Sequence, residues 1–296
     1  MSEKLLSTGL THAQQVQALN DYYQQEGQVW NIPRVTNHLN IPYGKSSDRQ
    51  AIDIYVPKGK GPFPVIVEVH GGGWWCGDRA DGGIADATWA LPFGYAVCSI
   101  GYRLVDEGIW PMQWNDITAG LEKLFEVGPE LNLDTSRLCA TGGSAGTTLS
   151  LLLALKTKKY KCAIMCASIL DFENMRKQFE QIGLNRNKRY AYPDEDWGIE
   201  GLLMGGSIYD VPEVWQDLNV RNFVDADCPH ILMYHGMKDK ATPYLQTPEF
   251  AEFVREKTGD VERVQYKLME DTGHSGGGYY EGWMAEEKLA FLRKYL

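Results

Sequence analysis

No run of about 18 uncharged apolar residues occurs in the 296-residue chain, so no transmembrane helix is predicted and no membrane partner is expected. The first nine residues lack the sustained apolar core and small-residue cleavage site of a signal peptide, which makes the cytoplasm the expected compartment. Cationic charge is in short supply. Lys plus Arg number 29 against 39 Asp plus Glu, a formal charge of −10, and a chain built to neutralise many phosphates would carry the opposite balance. No nucleic-acid partner is therefore expected. The six cysteines, Cys76, Cys98, Cys139, Cys162, Cys166 and Cys228, lack the tight spacing of a disulfide framework or a zinc knuckle. Cys162 and Cys166 lie inside an apolar run and read as buried thiols rather than a metal pair. The glycine turn around Ser144 fits neither G-x-G-x-x-G nor the P-loop ending Gly-Lys-Ser/Thr, and no H-E-x-x-H occurs in the chain, which speaks against dinucleotide, nucleotide and metalloprotease sites there.

What is present is an ordinary globular composition, 44% hydrophobic and 23% charged, able to bury a core. From about residue 50 onward, short apolar runs alternate with helical patterns, the sign of a mostly parallel sheet with helices on both faces. Strands are predicted over 51–56, 65–69, 96–100, 138–141, 163–170, 231–235 and 264–269. The first alternates, with Ile52, Ile54 and Val56 facing one way and Ala51, Asp53 and Tyr55 the other. It reads as an edge strand in a hairpin that turns through Pro57, Gly59, Gly61, Pro62 and Pro64. Ile117, Leu121, Leu124 and Phe125 form a helical stripe ending at Gly128 and Pro129. Residues 145–155 are apolar nearly all round and predict a buried helix, and 283–296 a terminal one. Two segments break the rhythm: 1–48, with a Gln-rich helical patch over 11–22 and no clear strand, and 171–227, rich in charge and aromatics. Long insertions are candidate lids or binding loops. The expected organisation is an N-terminal segment 1–48 that contributes to a lid, and a catalytic domain 49–296 with a cap-like insertion at about 171–227.

Gly142-Gly143-Ser144-Ala145-Gly146 follows an apolar strand and opens an apolar helix, which is the context that G-x-S-x-G requires. A strained turn there lifts the serine hydroxyl clear of the sheet, and the helix behind it points amides and its positive dipole end at the hydroxyl. His70-Gly71-Gly72-Gly73-Trp74-Trp75 directly follows the strand over 65–69. Consecutive glycines let backbone amides face a cavity without side chains in the way, so Gly72 and Gly73, with the amide of Ala145, are the expected oxyanion donors. A serine nucleophile needs a base, and the base an orienting acid. Among His12, His38, His70, His230, His235 and His274, the last sits in a glycine-rich loop after the strand over 264–269, and Asp239 is the first acid after the strand over 231–235. Ser144, Asp239 and His274 thus follow one another as nucleophile, acid and base, each in a loop after a strand, where open α/β sheets place their sites. Glu270 and Asp271 rank behind Asp239, being too near His274 in sequence to reach its far ring nitrogen. His70 is read as a brace for the glycine loop.

Together with Gly101-Tyr102-Arg103-Leu104, His235-Gly236-Met237-Lys238-Asp239 and Gly273-His274, these motifs resemble the α/β-hydrolase superfamily. More narrowly, they are similar to its hormone-sensitive-lipase and feruloyl or acetyl esterase branches, which carry His-Gly-Gly-Gly-Trp before the elbow. The resemblance runs from Ile52 to Leu296. It implies an α/β-hydrolase fold with a small cap, a carboxylic ester hydrolase acting through an acyl-enzyme, a small-molecule ester as substrate, and no cofactor or metal. Ser144 would be the nucleophile, His274 the general base and acid, and Asp239 the residue that holds the imidazole tautomer. Trp74, Trp75 and Tyr279 are the expected substrate-binding aromatics, suited to sugar rings or aromatic acyl groups. Thr147, where these branches often carry a second glycine, and Trp75-Cys76, where a smaller pair is common, depart from the pattern at the acyl pocket. An amidohydrolase resembling kynurenine formamidase, a non-catalytic small-ligand receptor on the same fold, and a homo-oligomer all remain open from sequence.

Overall fold

A computed structural model describes residues 35–80, 84–195, 198–276, 279 and 282–296. The helical patch over 11–22, and with it His12 and most of the N-terminal segment, lies outside the described residues. Among the described residues, eight strands form one sheet: β1 (Val35–Pro42), β2 (Ala51–Pro57), β3 (Phe63–Val69), β4 (Ala96–Ile100), β5 (Leu133–Gly143), β6 (Cys162–Cys166), β7 (His230–Gly236) and β8 (Val264–Met269). They lie in the order β1-β2-β4-β3-β5-β6-β7-β8. The β1/β2 and β2/β4 pairs are antiparallel and all others parallel. The α-helices are α1 (Ala85–Thr88), α2 (Met112–Val127), α3 (Ala145–Thr157), α4 (Met175–Gln181), α5 (Ile199–Met204), α6 (Pro212–Leu218), α7 (Gln246–Thr258) and α8 (Gly282–Tyr295). Among the described residues, no helix is long and apolar enough to cross a membrane.

Alternation along the buried strands divides the core into two layers. Ile52, Ile54, Val65, Val67 and Val69 face one side with Ile117, Leu121 and Leu124 of α2 and the fully buried run of α3 from Ala145 to Leu155. Tyr55, Ile66, Val97, Ile164 and Leu232 face the other, with Leu289 and Leu292 of α8. Each such side chain taken fully from water contributes about 1.5–3 kcal/mol, which is why both faces of a parallel sheet must be covered.

Two expectations for the first strands are corrected. Residues 35–42 form β1, the sheet edge, although they are mostly exposed and carry no apolar alternation; backbone pairing to β2 holds them. Accordingly β2 is not an edge strand. It is buried along its whole length between β1 and β4, and no β2–β3 hairpin forms, because β4 lies between the two. Asp53 made β2 look half-wet, but its carboxylate is buried and takes Arg79 Nε at 3.1 Å. The strand expected over 163–170 ends at Cys166, where Ala167 turns to φ 49°. Between β6 and β7, the described residues of 171–227 hold α4, α5, α6 and a short 3₁₀ turn at Val220–Phe223, and no strand.

Candidate active site

At the carboxyl end of β5 the chain passes through Ser144 with φ 54° and ψ −125°, and α3 begins at the next residue. This conformation is sparsely populated for any residue with a side chain and persists only where the surroundings over-determine it. They do so here. Ser144 N–H donates to the Cys166 carbonyl at 3.0 Å, and a Cβ placed on Gly146 would meet the Val69 carbonyl oxygen at 2.1 Å, so only glycine lets the helix pass β3. The Thr147 departure also acquires a reason: its hydroxyl donates to the Ser144 carbonyl at 2.6 Å and accepts from Ile169 N–H at 3.0 Å, tying the turn to a neighbouring loop.

The loops after β7 and β8 bring Asp239 and His274 to the serine. His274 Nε2 lies 2.8 Å from Ser144 Oγ, and His274 Nδ1 2.7 Å from Asp239 Oδ2. Because an ionised carboxylate only accepts, Nδ1 carries the proton and Nε2 is left to accept from the serine hydroxyl. Asp271 is exposed and takes Lys238 Nζ at 2.6 Å. Burial alone would raise the Asp239 carboxyl, but hydrogen bonds from His235 and His274 outweigh it and hold the group well below the usual carboxylate range. Further donors are the amides of Ala241 at 2.7 Å and Thr242 at 2.9 Å and the Thr242 hydroxyl at 3.0 Å.

In the glycine loop, Gly72 has φ 100°, and a Cβ there would meet the Cys76 carbonyl at 2.0 Å. Among the described residues no acceptor takes the Gly72 or Gly73 amide, and Ala145, first residue of α3, has no intrahelical acceptor for its own. Underneath, His70 is buried and stacked on Tyr102, ring centroids 4.2 Å apart, with Nδ1 2.8 Å from the Gly71 carbonyl oxygen. Desolvation pushes its imidazole down to about 4, so it sits there as a neutral brace.

Of the three expected substrate-binding aromatics, two line the cavity beside Ser144. Trp75 is 44% exposed at its wall, and Tyr279 lines it while its hydroxyl accepts from Gly236 N–H at 2.9 Å. Trp74 does not line it. With φ 60° its indole turns into the core, fully buried, edge-on to Phe172 at 5.9 Å. The cavity is about 310 Å³ and is also walled by Arg186, Arg189, Tyr190 and Ile199 from the 171–227 segment. None of these four, nor His235, was singled out as a site residue from sequence. The first four lie where strand and helix rhythm breaks, and His235 reads as an ordinary strand end.

The BD-FAE family model matches residues 52–254. The chain belongs to that family. Among curated relatives of this BD-FAE chain, Esterase LipC of Mycobacterium tuberculosis is 25% identical over 250 residues, covering 81% of this chain and 60% of the relative. Esterase LipQ of the same organism is 22% identical over 252 residues, covering 80% and 56%. The chain thus spans less than two thirds of these relatives' length. Among solved structures, a truncated carbohydrate esterase from gut microbiota superposes with a TM-score of 0.73 at 20% identity, covering 88% of this chain and 95% of the other. Esterase B from Lactobacillus Rhamnosis gives 0.68 at 20%, covering 95% and 93%. The fold of this BD-FAE chain is the α/β-hydrolase fold.

Proposed function

We propose that the protein is a carboxylic ester hydrolase working through an acyl-enzyme. The reading rests above all on the continuous relay from Ser144 Oγ through His274 to Asp239 at 2.8 and 2.7 Å. Ser144 Oγ attacks the ester carbonyl carbon as His274 Nε2 takes its proton, and Asp239 holds the opposite ring N–H while the imidazolium exists. The carbonyl oxygen becomes an anion received by the amides of Gly72, Gly73 and Ala145, each such donor being worth about 3–4 kcal/mol in the transition state. Collapse of the tetrahedral intermediate returns the proton from Nε2 to the leaving alcohol. A water molecule, deprotonated by the same nitrogen, then attacks the acyl-serine, releases the acid and restores the hydroxyl. A cavity near the lower end of ligand-pocket sizes suits a short acyl group, acetyl above all, with Trp75 offering a flat face to a sugar or aromatic ring. Six free thiols suit a reducing compartment, the cytoplasm.

The test is a panel of p-nitrophenyl esters of rising acyl length, with methyl ferulate and a formyl amide alongside. Hydrolysis should favour short acyl chains, and Ser144→Ala should lower kcat by about 10⁴ to 10⁶ with an unchanged circular dichroism spectrum. Substantial turnover in the folded variant would overturn the mechanism, and turnover of the amide alone would move the reading to an amidohydrolase.

A further inference from the structure

Two arginines line the cavity beside Ser144 and His274, and their charges are met differently. Arg186 is buried and committed. Its guanidinium gives Nη2 to Glu200 Oε1 at 2.6 Å, Nη1 to Glu200 Oε2 at 3.1 Å and Nε to the Ala241 carbonyl at 2.9 Å. Arg189 is exposed to the cavity, and no carboxylate among the described residues pairs with it. Instead its guanidinium lies 5.6 Å from the Trp75 ring centroid and 5.3 Å from that of Tyr190, both of which line the same cavity.

An arginine held against aromatic rings uses its faces for those contacts and keeps its in-plane N–H groups free, the set that matches a carboxylate two bonds at a time. Its mount is tied to the triad, since Asn187 N–H donates to the Lys240 carbonyl at 2.7 Å and the Asn187 side chain accepts from Arg189 N–H at 3.2 Å. The other ionisable lining groups are already engaged: Arg186 by Glu200, His274 by Asp239, and Glu68, 1% exposed, by the Ser99 hydroxyl. The charge left to meet a ligand is positive, in a chain whose formal charge is −10.

We infer that the ester this protein cleaves carries a carboxylate, in its acyl or its alcohol part, bound by Arg189 with the adjoining organic group against Trp75 and Tyr190. This rests on the esterase reading for the word ester, and binding to an inactive protein separates the two. Ser144→Ala protein is titrated with monoethyl succinate against diethyl succinate, for the acyl side, and with 4-acetoxybenzoate against its methyl ester, for the alcohol side. In at least one pair the charged ester should bind about tenfold tighter or more, the preference should shrink as salt is raised, and it should vanish when Arg189→Gln is added. In the active protein, Arg189→Gln should lower kcat/KM for that charged ester about ten- to hundredfold more than for its neutral counterpart, with Arg189→Lys keeping part of the difference. Equal binding of charged and neutral members in both pairs, or a preference that survives Arg189→Gln, overturns the inference. Selective binding of a charged ester that the active protein never cleaves would uphold the anion site and overturn the esterase reading instead.

Discussion

Asp239 is held by two histidines, and only one of them touches the serine. His235 is fully buried, with Nε2 3.2 Å from Asp239 Oδ2 and Nδ1 2.8 Å from the Thr247 hydroxyl. Asp239 being ionised, Nε2 donates to it, and Nδ1 is paired with the Thr247 hydroxyl. Burying an imidazole is unfavourable unless both nitrogens are used, and here both serve to keep the carboxylate charged and aimed at His274. A hydrogen bond to a charged group is worth about 1.5–3 kcal/mol. His235→Phe should therefore lower kcat by about ten- to hundredfold with KM little changed, and His235→Gln, which keeps a donor, should recover part of the loss. Steady-state kinetics on a p-nitrophenyl ester reads both, and a fall in kcat equal for Phe and Gln would show that the donor is irrelevant. At the same scale, Trp74 and Trp75 show how little residue type alone decides. The neighbours differ in that the φ of 60° at Trp74 sends its ring into the core, while Trp75 stays 44% exposed at the cavity.

Between elements, Arg186 is tied to Glu200 of α5, both side chains almost wholly buried. Through Arg186 Nε to the Ala241 carbonyl, and Ala241 N–H to Asp239, the same guanidinium connects the 171–227 segment to the loop of the acid. Glu200→Ala would leave a buried guanidinium uncompensated, a loss of about 3–5 kcal/mol. The urea midpoint should drop, or amide exchange over 186–204 should quicken, while Arg186→Met with Glu200→Leu should restore much of the stability; unchanged exchange and midpoint in Glu200→Ala would contradict this. That tie was invisible in the sequence, because a buried pair and a solvated pair use the same letters. The motif loops were legible for the opposite reason: the turn at Gly72 and the close passage of the helix at Gly146 exclude every other residue, so the chemistry leaves its mark in glycines. The interior strands were legible as apolar runs. β1 was not, since an edge held by backbone bonds needs no apolar side chains, and β2 was misjudged because Asp53 finds its partner 26 residues away at Arg79.

For the molecule as a whole, the interior brace under the glycine loop links acidity to stability. Burial lowers His70 to about 4 from its ordinary 6.5, and its single bond to the Gly71 carbonyl does not offset that. Between these values the unfolded chain binds a proton that the folded one does not, so stability rises with pH across the window. The contribution is fully present above about 6.5 and is lost as pH falls toward 4; Asp239, whose carboxyl is held low in the fold, adds a loss in the same direction at still lower pH, once unfolded carboxyls take up protons. At about 1.36 kcal/mol per unit, His70 should remove about 2 kcal/mol between pH 7 and pH 5. His70→Phe keeps a flat ring to stack on Tyr102 and cannot titrate. Urea unfolding of both proteins at the two pH values isolates the effect, because every other titrating group is common to them: the loss from pH 7 to pH 5 should be smaller in His70→Phe by about that amount. An identical loss in the two proteins would mean that His70 is protonated in the fold, and the neutral, stacked imidazole beneath the oxyanion loop would be the wrong description.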